Sequence, residues 1–422
     1  MWRVLIVNIS GYLKCNVTSD GMKYLLLPLL LLLFPHRILI DGYSVILLLA
    51  SYIFLVFIMR RLKDFSQPEI MLYLIVAFGC SALHILRNGE VMEWGLRACM
   101  ERTAPGPWRF RILFPEIVNG ISRICPADVV AFHLAARVVS IVLTFVLTYR
   151  VLRKHVGLDH RSAFLLPFLY LLATPFSWDY LYITDFPEVL FSCAMMAAVL
   201  SGRRWVAALV FLVGLLNRDT MVFGLVFYLI YTIYPAKLRL GEMFRSMTRE
   251  WKTLLLLVGL GIAAILLKWA VIKGYGAARL TENKWDGNLA NVNMYLQCLA
   301  GHVPGIPGDS PVSRFMAFSG GLYIVVALYV TRINGRFIAG FCGATIFLLT
   351  CTLEYANLDE TRVLFPTLPY LLFCLATILK SGWEGSAPAY VGGGRVVVYG
   401  IVLPVVIAVT WHGFIMHSVW CR

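Results

Sequence analysis

Residues 204–235 read RWVAALVFLVGLLNRDTMVFGLVFYLIYTIYP, which is two apolar blocks separated by the polar stretch Asn217-Arg218-Asp219-Thr220. A helix rises 1.5 Å per residue, so a block of this kind approaches the length that crosses about 30 Å of hydrocarbon. In lipid, an apolar segment satisfies its own backbone hydrogen bonds by becoming helical. The stretch therefore predicts two membrane helices joined by a short polar turn.

The same alternation of apolar blocks and short polar clusters runs along the whole chain of 422 residues. Hydrophobic residues make up 60% and charged residues 14%, with a mean hydropathy of +0.78, whereas soluble domains average about 25% charged residues. We predict an all-α polytopic membrane protein with roughly 11–13 transmembrane helices, forming a single integral membrane domain over 1–422. The predicted spans lie near 24–40, 44–59, 70–87, 127–149, 162–178, 186–201, 204–217, 220–235, 253–272, 316–331, 337–353, 363–379 and 396–416.

The net charge of +14 indicates membrane orientation rather than nucleic-acid binding. With a cytoplasmic N-terminus, the segments predicted inside contain 21 of the 37 basic residues and seven of the 23 acids. The whole excess of positive charge therefore lies on one side, as the positive-inside rule requires. Because one misplaced span inverts every later one, the alternative topology stays open.

Two long polar stretches, 88–126 and 273–315, are predicted to lie outside as loops. Structureless connections of this length are uncommon in compact proteins and are often functional. Residues 90–103 of the first loop have the spacing of an interfacial helix. We expect the active face to be the outer one.

Acidic residues at predicted outer span ends are the strongest indication of chemistry, because a carboxylate near hydrocarbon is costly without a partner or a task. Two of these ends also carry an arginine, in Asn217-Arg218-Asp219-Thr220 and in Glu360-Thr361-Arg362. A guanidinium group suits bidentate binding of phosphate. The alternative is that Arg218 and Asp219 form a salt-bridged turn that caps two helices.

Five short motifs resemble those of the membrane-embedded glycosyltransferases of the GT-C superfold, which use polyprenyl-phosphate-linked sugars. They are Asn88-Gly89-Glu90 with Val91-Met92-Glu93-Trp94; Trp108-Arg109-Phe110-Arg111-Ile112-Leu113-Phe114-Pro115, which is similar to a "yRpLlP" tract; Ile183-Thr184-Asp185-Phe186-Pro187; Asn217-Arg218-Asp219-Thr220, which is similar to a "tREt" turn; and Glu360-Thr361-Arg362-Val363-Leu364-Phe365-Pro366.

The resemblance implies a GT-C-like bundle with 88–126 as the catalytic loop, and it implies roles for individual residues. Glu90 is then the leading catalytic base, with Glu93 second, and Asp185 helps form the acceptor or metal region. The cations available for the donor phosphate are Arg109, Arg111, Arg218 and Arg362, and the substrate-binding candidates are Trp94, Trp108, Asp219 and Glu360. No cofactor is implied, and a divalent cation is left open.

Other interpretations compete with each assignment. Glu90 and Glu93 also fit a solvated helix end near lipid headgroups, and the tryptophans fit an interfacial aromatic belt. The chain has two extra hydrophobic segments before the acidic loop, and Gly-Glu where many members have Asp-Asp or Asp-Glu.

We predict a glycosyltransferase that moves a sugar from a polyprenyl-phosphate donor to a glycan, lipid or protein acceptor at the extracytoplasmic face of a bacterial inner membrane. The alternatives are a flippase or transporter of a lipid-linked saccharide, and a glycan polymerase or ligase that uses an oligosaccharide on a pyrophosphate carrier.

Overall fold

A computed structural model describes residues 41–101, 111–170, 185–234, 240–274, 321–352 and 365–384. Within those ranges the chain is helical and contains no strand, which confirms the all-α prediction for this part of the protein. The helices are α1 Gly42–Leu62, α2 Gln67–Met100, α3 Leu113–Ser122, α4 Val129–Val151, α5 His160–Leu165, α6 Asp185–Leu200, α7 Arg204–Asn217, α8 Val222–Ile233, α9 Leu240–Gly274, α10 Gly321–Leu328, α11 Gly335–Thr352 and α12 Leu368–Glu384.

The described residues divide into two compact units. The first contains the residues up to Glu93 together with 118–142, and the second contains 94–117 together with the residues from 143 onward. The prediction of a single membrane domain over 1–422 stays a prediction.

In the first unit, two helix starts are joined through one carboxylate. Asp41 caps α1 by accepting from the amides of Tyr43 and Ser44, at 2.6 and 3.2 Å. It also accepts from the amide of Asp128, the residue before α4, at 3.1 Å. Since the first amides of a helix have no partner within the helix, this arrangement satisfies donors at both starts.

Helix α2 is longer than the third predicted span. It continues from Gln67 to Met100, so residues 88–100 are helical and continuous with that span and do not form a separate interfacial helix. The prediction that 88–126 lies outside stays a prediction. Residues 113–122 are also helical, as α3. The physical reason is that Arg87-Asn88-Gly89-Glu90 contains no proline, so polar residues can end an apolar segment without ending the helix.

The core of the second unit is built on close helix contacts. Helix α8 packs on α11 at two glycines: a Cβ at Gly340 would lie 3.3 Å from the carbonyl oxygen of Phe227, and one at Gly343 would meet Ile230. Small residues let helix backbones approach, a common device in membrane bundles. Buried rings of Phe223, Phe227, Phe337 and Tyr370 then fill the space beside that contact, the ring of Tyr370 lying 4.5 Å from that of Phe227.

Helix α9 has one face on the bundle and the other face uncovered by protein. Its buried side is formed by Glu250, Leu257, Gly261, Ala264 and Lys268, at intervals of seven, four, three and four residues that repeat every helical turn. The opposite side exposes large apolar residues, among them Leu255, Val258, Ile262, Ile265 and Leu266. An uncovered apolar face of this length is typical of a helix whose solvent is lipid.

Three helices in the described part of the chain are long and apolar enough to cross a membrane: Gly42–Leu62, Val129–Val156 and Glu250–Val271. Five shorter apolar helices accompany them, at Gln67–Ala82, Arg204–Asn217, Asp219–Ile233, Gly335–Leu348 and Phe365–Ser381. The larger count of 11–13 spans stays a prediction, and the spans 24–40 and 396–416 and nearly all of the loop 273–315 lie outside the described residues. Within the span predicted at 162–178, the helix changes from α to 3-10 type at Leu166–Phe168. Pro167 has no amide hydrogen to donate, so the α-helical hydrogen bonds are interrupted there.

Candidate functional site

Four charged side chains meet at one end of the second unit and are almost completely buried. They are Arg111, Asp185, Glu188 and Arg218, with exposed fractions of 6%, 0%, 1% and 7%. We call them the buried charge cluster. Because charges are rarely buried without partners, their contacts decide what the cluster can do.

Arg218 is the centre of the buried charge cluster. Its Nη1 donates to Oδ1 of Asp185 at 2.9 Å and to Oε2 of Glu188 at 2.6 Å. Nη1 of Arg111 lies 3.8 Å from the same oxygen of Asp185. The hydroxyl of Thr220 donates to the other carboxylate oxygen of Glu188. Two arginine side chains therefore face two carboxyl groups inside the protein.

The backbone explains why these residues meet. Asp185 and Glu188 stand three residues apart in the first turn of α6, so they share a face at the end of the helix whose dipole favours negative charge. Arg218 has extended backbone angles, φ −158° and ψ 141°, which end α7 and turn its side chain out of the helical path. The amide of Ile112 donates to the carbonyl of Leu216 at 3.2 Å, and this bond holds Arg111 beside the same turn.

A further ion pair lies next to the buried charge cluster. Nζ of Lys268, on α9, donates to Oδ1 of Asp219. Lys268 is 4% exposed, whereas the side chain of Asp219 is 65% exposed. The turn Asn217-Arg218-Asp219-Thr220 is thus tied to α6 through Arg218 and Thr220 and to α9 through Asp219. It is a salt-bridged turn between α7 and α8, as the alternative interpretation expects, although its charged residues pair with α6 and α9.

The other end of the same helices has its own pair. Nη2 of Arg204, at the start of α7, donates to Oε1 of Glu250 on α9 at 2.5 Å, and the hydroxyl of Tyr228 donates to Oε2 at 3.3 Å. Arg204 with Glu250 and Asp219 with Lys268 show that α7 and α9 run in the same direction. Since Glu250 and Lys268 are 18 residues apart on one helix, the two pairs are separated by about 27 Å along its axis.

The structure brings some of the sequence-predicted residues together. The others lie in α2 or outside the described residues. Asp185, Arg111 and Arg218 are in the buried charge cluster, and Asp219 is beside it. Glu90, Glu93 and Trp94 lie in α2. Trp108, Arg109, Glu360 and Arg362 lie outside the described residues.

Glu188 is the functional candidate that sequence reasoning missed. It falls inside the predicted span 186–201, where the surrounding apolar residues predict a membrane helix and no site. Its spacing of three residues from Asp185 was the available signal, because residues at i and i+3 share a helix face. Thr220 was noted only as the last member of a motif.

The contacts define what the buried charge cluster does chemically. Asp185 is fully buried and paired with Arg218, so in this conformation its carboxyl group positions arginines. Its predicted role in the acceptor or metal region stays a prediction. No group of three histidine, cysteine or acidic residues is arranged to hold a metal ion anywhere in the described ranges, and the divalent cation stays a prediction.

No protein-family model, curated protein or solved structure matches the chain.

Proposed function

We propose that this chain is a multi-pass membrane glycosyltransferase that transfers a sugar from a polyprenyl-phosphate donor to a glycan, lipid or protein acceptor at the extracytoplasmic face of a bacterial inner membrane. One observation supports the proposal most strongly. Arg111, Asp185 and Arg218 come from three of the motifs that resemble the GT-C superfold, and their side chains meet at one end of the second unit.

The contacts at the two ends of the second unit support the predicted separation of its segments into two sides. Residues predicted inside meet one another at one end: Arg204 contacts Glu250, and Nε2 of His155 lies 3.2 Å from the hydroxyl of Ser201. Residues predicted outside meet at the other end, in the buried charge cluster and in the pair of Asp219 with Lys268. The separation of about 27 Å between the two pairs on α9 is close to the thickness of the hydrocarbon core.

The reaction would proceed at the extracytoplasmic face by displacement at the anomeric carbon. The acceptor oxygen forms a bond to that carbon, the bond from the carbon to the phosphate oxygen breaks, and polyprenyl phosphate leaves. Glu90 is the proposed base that takes the acceptor proton, with Glu93 as the second candidate. Cationic side chains stabilise the negative charge of the departing phosphate.

In this proposal the buried charge cluster supports the site and does not itself react. Asp185 and Glu188 hold Arg218, and the motif that carries Arg111 also contains Arg109, a proposed phosphate ligand. Breaking a buried pair by removing one partner is costly, so the cluster fixes the turn and the nearby segments in one arrangement. Arg109, Arg111, Arg218 and Arg362 stay the proposed ligands of the donor phosphate. The proposed substrate contacts are Trp94, Trp108, Asp219 and Glu360.

The test is transfer by purified protein in proteoliposomes, given a polyprenyl-phosphate donor with a radiolabelled sugar and a membrane extract as acceptor. E90Q is expected to lower the transfer rate by at least about a hundredfold, the usual contribution of a general base, with unchanged expression. The matched control is E101Q, which removes an exposed glutamate eleven residues further along the same segment and should leave transfer unchanged. Full activity of E90Q would remove Glu90 as the base.

A further inference from the structure

Helix α6 has a polar face that continues past the buried charge cluster. Ser192 follows Glu188 after four residues and Asp185 after seven, so the three side chains share one side of the helix. All three are buried, with exposed fractions of 1% or less. A serine within a helix often bonds the carbonyl four residues earlier in that helix. The hydroxyl of Ser192 instead donates to a distant part of the chain.

The acceptor of this hydrogen bond is the carbonyl oxygen of Pro366, at 2.5 Å from Oγ of Ser192. Pro366 lies in the 3-10 turn Phe365–Thr367, which leads into α12. In such a turn a carbonyl accepts from the amide three residues later, and that residue here is Pro369, which has no amide hydrogen. Ser192 therefore supplies a donor that the turn itself lacks.

The next residue, Thr367, is held from a different helix. Its hydroxyl is hydrogen bonded to the hydroxyl of Tyr323 on α10. Thr367 is fully buried, and its neighbours Phe365 and Leu368 are also buried. The start of α12 is therefore fixed by two side-chain hydrogen bonds, one from α6 and one from α10.

The polar face of α6 contacts residues from three separate motifs of the sequence. Asp185 contacts Arg111 of the motif 108–115 and Arg218 of the motif 217–220. Ser192 contacts Pro366, the last residue of the motif 360–366. Ser192 lies about 6 Å along the helix axis from Glu188 in the buried charge cluster, because four residues separate them. One helix therefore sets the spacing between the buried charge cluster and the end of the motif 360–366.

We propose that Ser192 and Tyr323 are positioning residues for the donor phosphate and act through the motif 360–366. That motif contains Arg362, a proposed ligand of the donor phosphate, four residues before Pro366. Because the connection is so short, a fixed Pro366 restricts the positions open to Arg362 relative to α6. Small displacements of a binding group weaken its contribution strongly. The inference rests on the proposed function, since it takes polyprenyl phosphate as the ligand.

The experiment measures binding of polyprenyl phosphate to the full-length protein in mild detergent by native mass spectrometry, with uncharged polyprenol as the second probe. In S192A the affinity for polyprenyl phosphate should fall about threefold to tenfold, the equivalent of one hydrogen bond, while the affinity for polyprenol is unchanged. S192T keeps a hydroxyl and should restore the wild-type affinity. The matched control is S381A, because the hydroxyl of Ser381 donates to the carbonyl of Ile378 within α12, and this variant should bind as wild type does.

Equal affinity of wild type and S192A for polyprenyl phosphate would overturn the positioning role and leave the proposed function standing. Equal losses for polyprenyl phosphate and polyprenol would also overturn it, because Ser192 would then only maintain the fold. If S192A does not fold, Y323F decides, since it removes the bond to Thr367 and should weaken binding of polyprenyl phosphate selectively; an unchanged affinity would overturn the proposal. Wild-type protein that binds polyprenol as tightly as polyprenyl phosphate would contradict the proposed function and this inference with it.

Discussion

The two ends of the second unit treat charge in opposite ways. At the end with Arg218, the two arginines and two carboxyl groups of the buried charge cluster are hidden from solvent and pair with one another inside the protein. At the end with Arg203, basic side chains are exposed and the only buried acid, among the residues that the structure describes there, is Glu250 with its partner Arg204. The first arrangement fixes protein segments in place, whereas the second presents charge to the surroundings.

The difference has a physical basis in solvation. A buried ion loses its water and needs exact partners, so its contribution is to specify one arrangement. An exposed base keeps its water, costs little to place and contributes little to stability by itself. The account therefore expects substitutions to affect stability at one end and surface interactions at the other.

The largest expected effect is at the centre of the buried charge cluster. R218Q removes the cation that holds both Asp185 and Glu188, leaving two buried carboxylates with Arg111 alone, and should lower the free energy of unfolding by about 3–5 kcal/mol. The measurement is thermal or denaturant unfolding in detergent without anionic lipid.

The control for R218Q is R203Q, which removes an exposed arginine at the opposite end of the same helix. It should change the free energy of unfolding by less than about 0.5 kcal/mol. Similar effects of the two variants would show that burial does not distinguish the two ends.

An intermediate effect on the free energy of unfolding is expected at Gly214, where α7 packs tightly against its neighbours. In G214A the new Cβ would lie 2.6 Å from Cγ of Met221 and 3.4 Å from Cβ of Phe191, so the variant should lose about 1–3 kcal/mol. G259A, on the uncovered face of α9, has no neighbour within 4 Å and should gain up to about 1 kcal/mol from helix propensity. The unfolding midpoint of G214A should fall and that of G259A should rise. If both midpoints moved in the same direction, the packing described for α7 would be contradicted.

The smallest expected effect lies at the basic end and depends on pH. Hydrogen bonds from the side chain and amide of Ser162 hold the pKa of Asp159 below its usual value, since Asp159 caps α5. Such a carboxylate stabilises the fold above its unfolded pKa of about 4, and this stabilisation disappears as the pH falls through the lower folded pKa. D159A should therefore cost about 1 kcal/mol at pH 7 and progressively less below about pH 4.

The control for D159A is D159N, because asparagine caps a helix about as well as aspartate and does not titrate. Unfolding midpoints followed from pH 7 to pH 3 should show the gap between wild type and D159A closing. A gap that widens on acidification would contradict the assigned cap.

The sequence predicts helix positions well where apolar blocks have sharp polar ends. Helices α1, α7, α8 and α11 lie within about four residues of the predicted 44–59, 204–217, 220–235 and 337–353. These ends coincide with a cap such as Asp41 or an extended residue such as Arg218, where one residue both changes polarity and ends the helix.

The prediction was wrong where polarity and helix termination do not coincide. Residues 88–100 are polar enough to leave hydrocarbon, yet they continue α2 because nothing in them breaks a helix. Three of the four residues of the buried charge cluster were predicted, and the fourth, Glu188, was missed for a related reason. Asp185 and Arg218 stand at the ends of apolar blocks and attract attention, whereas Glu188 lies inside one and is recognised only when the partner arginine is in place.

Glycosyl transfer and lipid flipping are distinguished by following the donor in proteoliposomes that contain purified wild-type protein. The donor is polyprenyl phosphate with a radiolabelled sugar, and the products are separated into lipid-linked and transferred label. The account predicts that label leaves the carrier with a matching release of polyprenyl phosphate. Label that stays on its carrier while the donor crosses to the other leaflet would contradict the account and support a flippase.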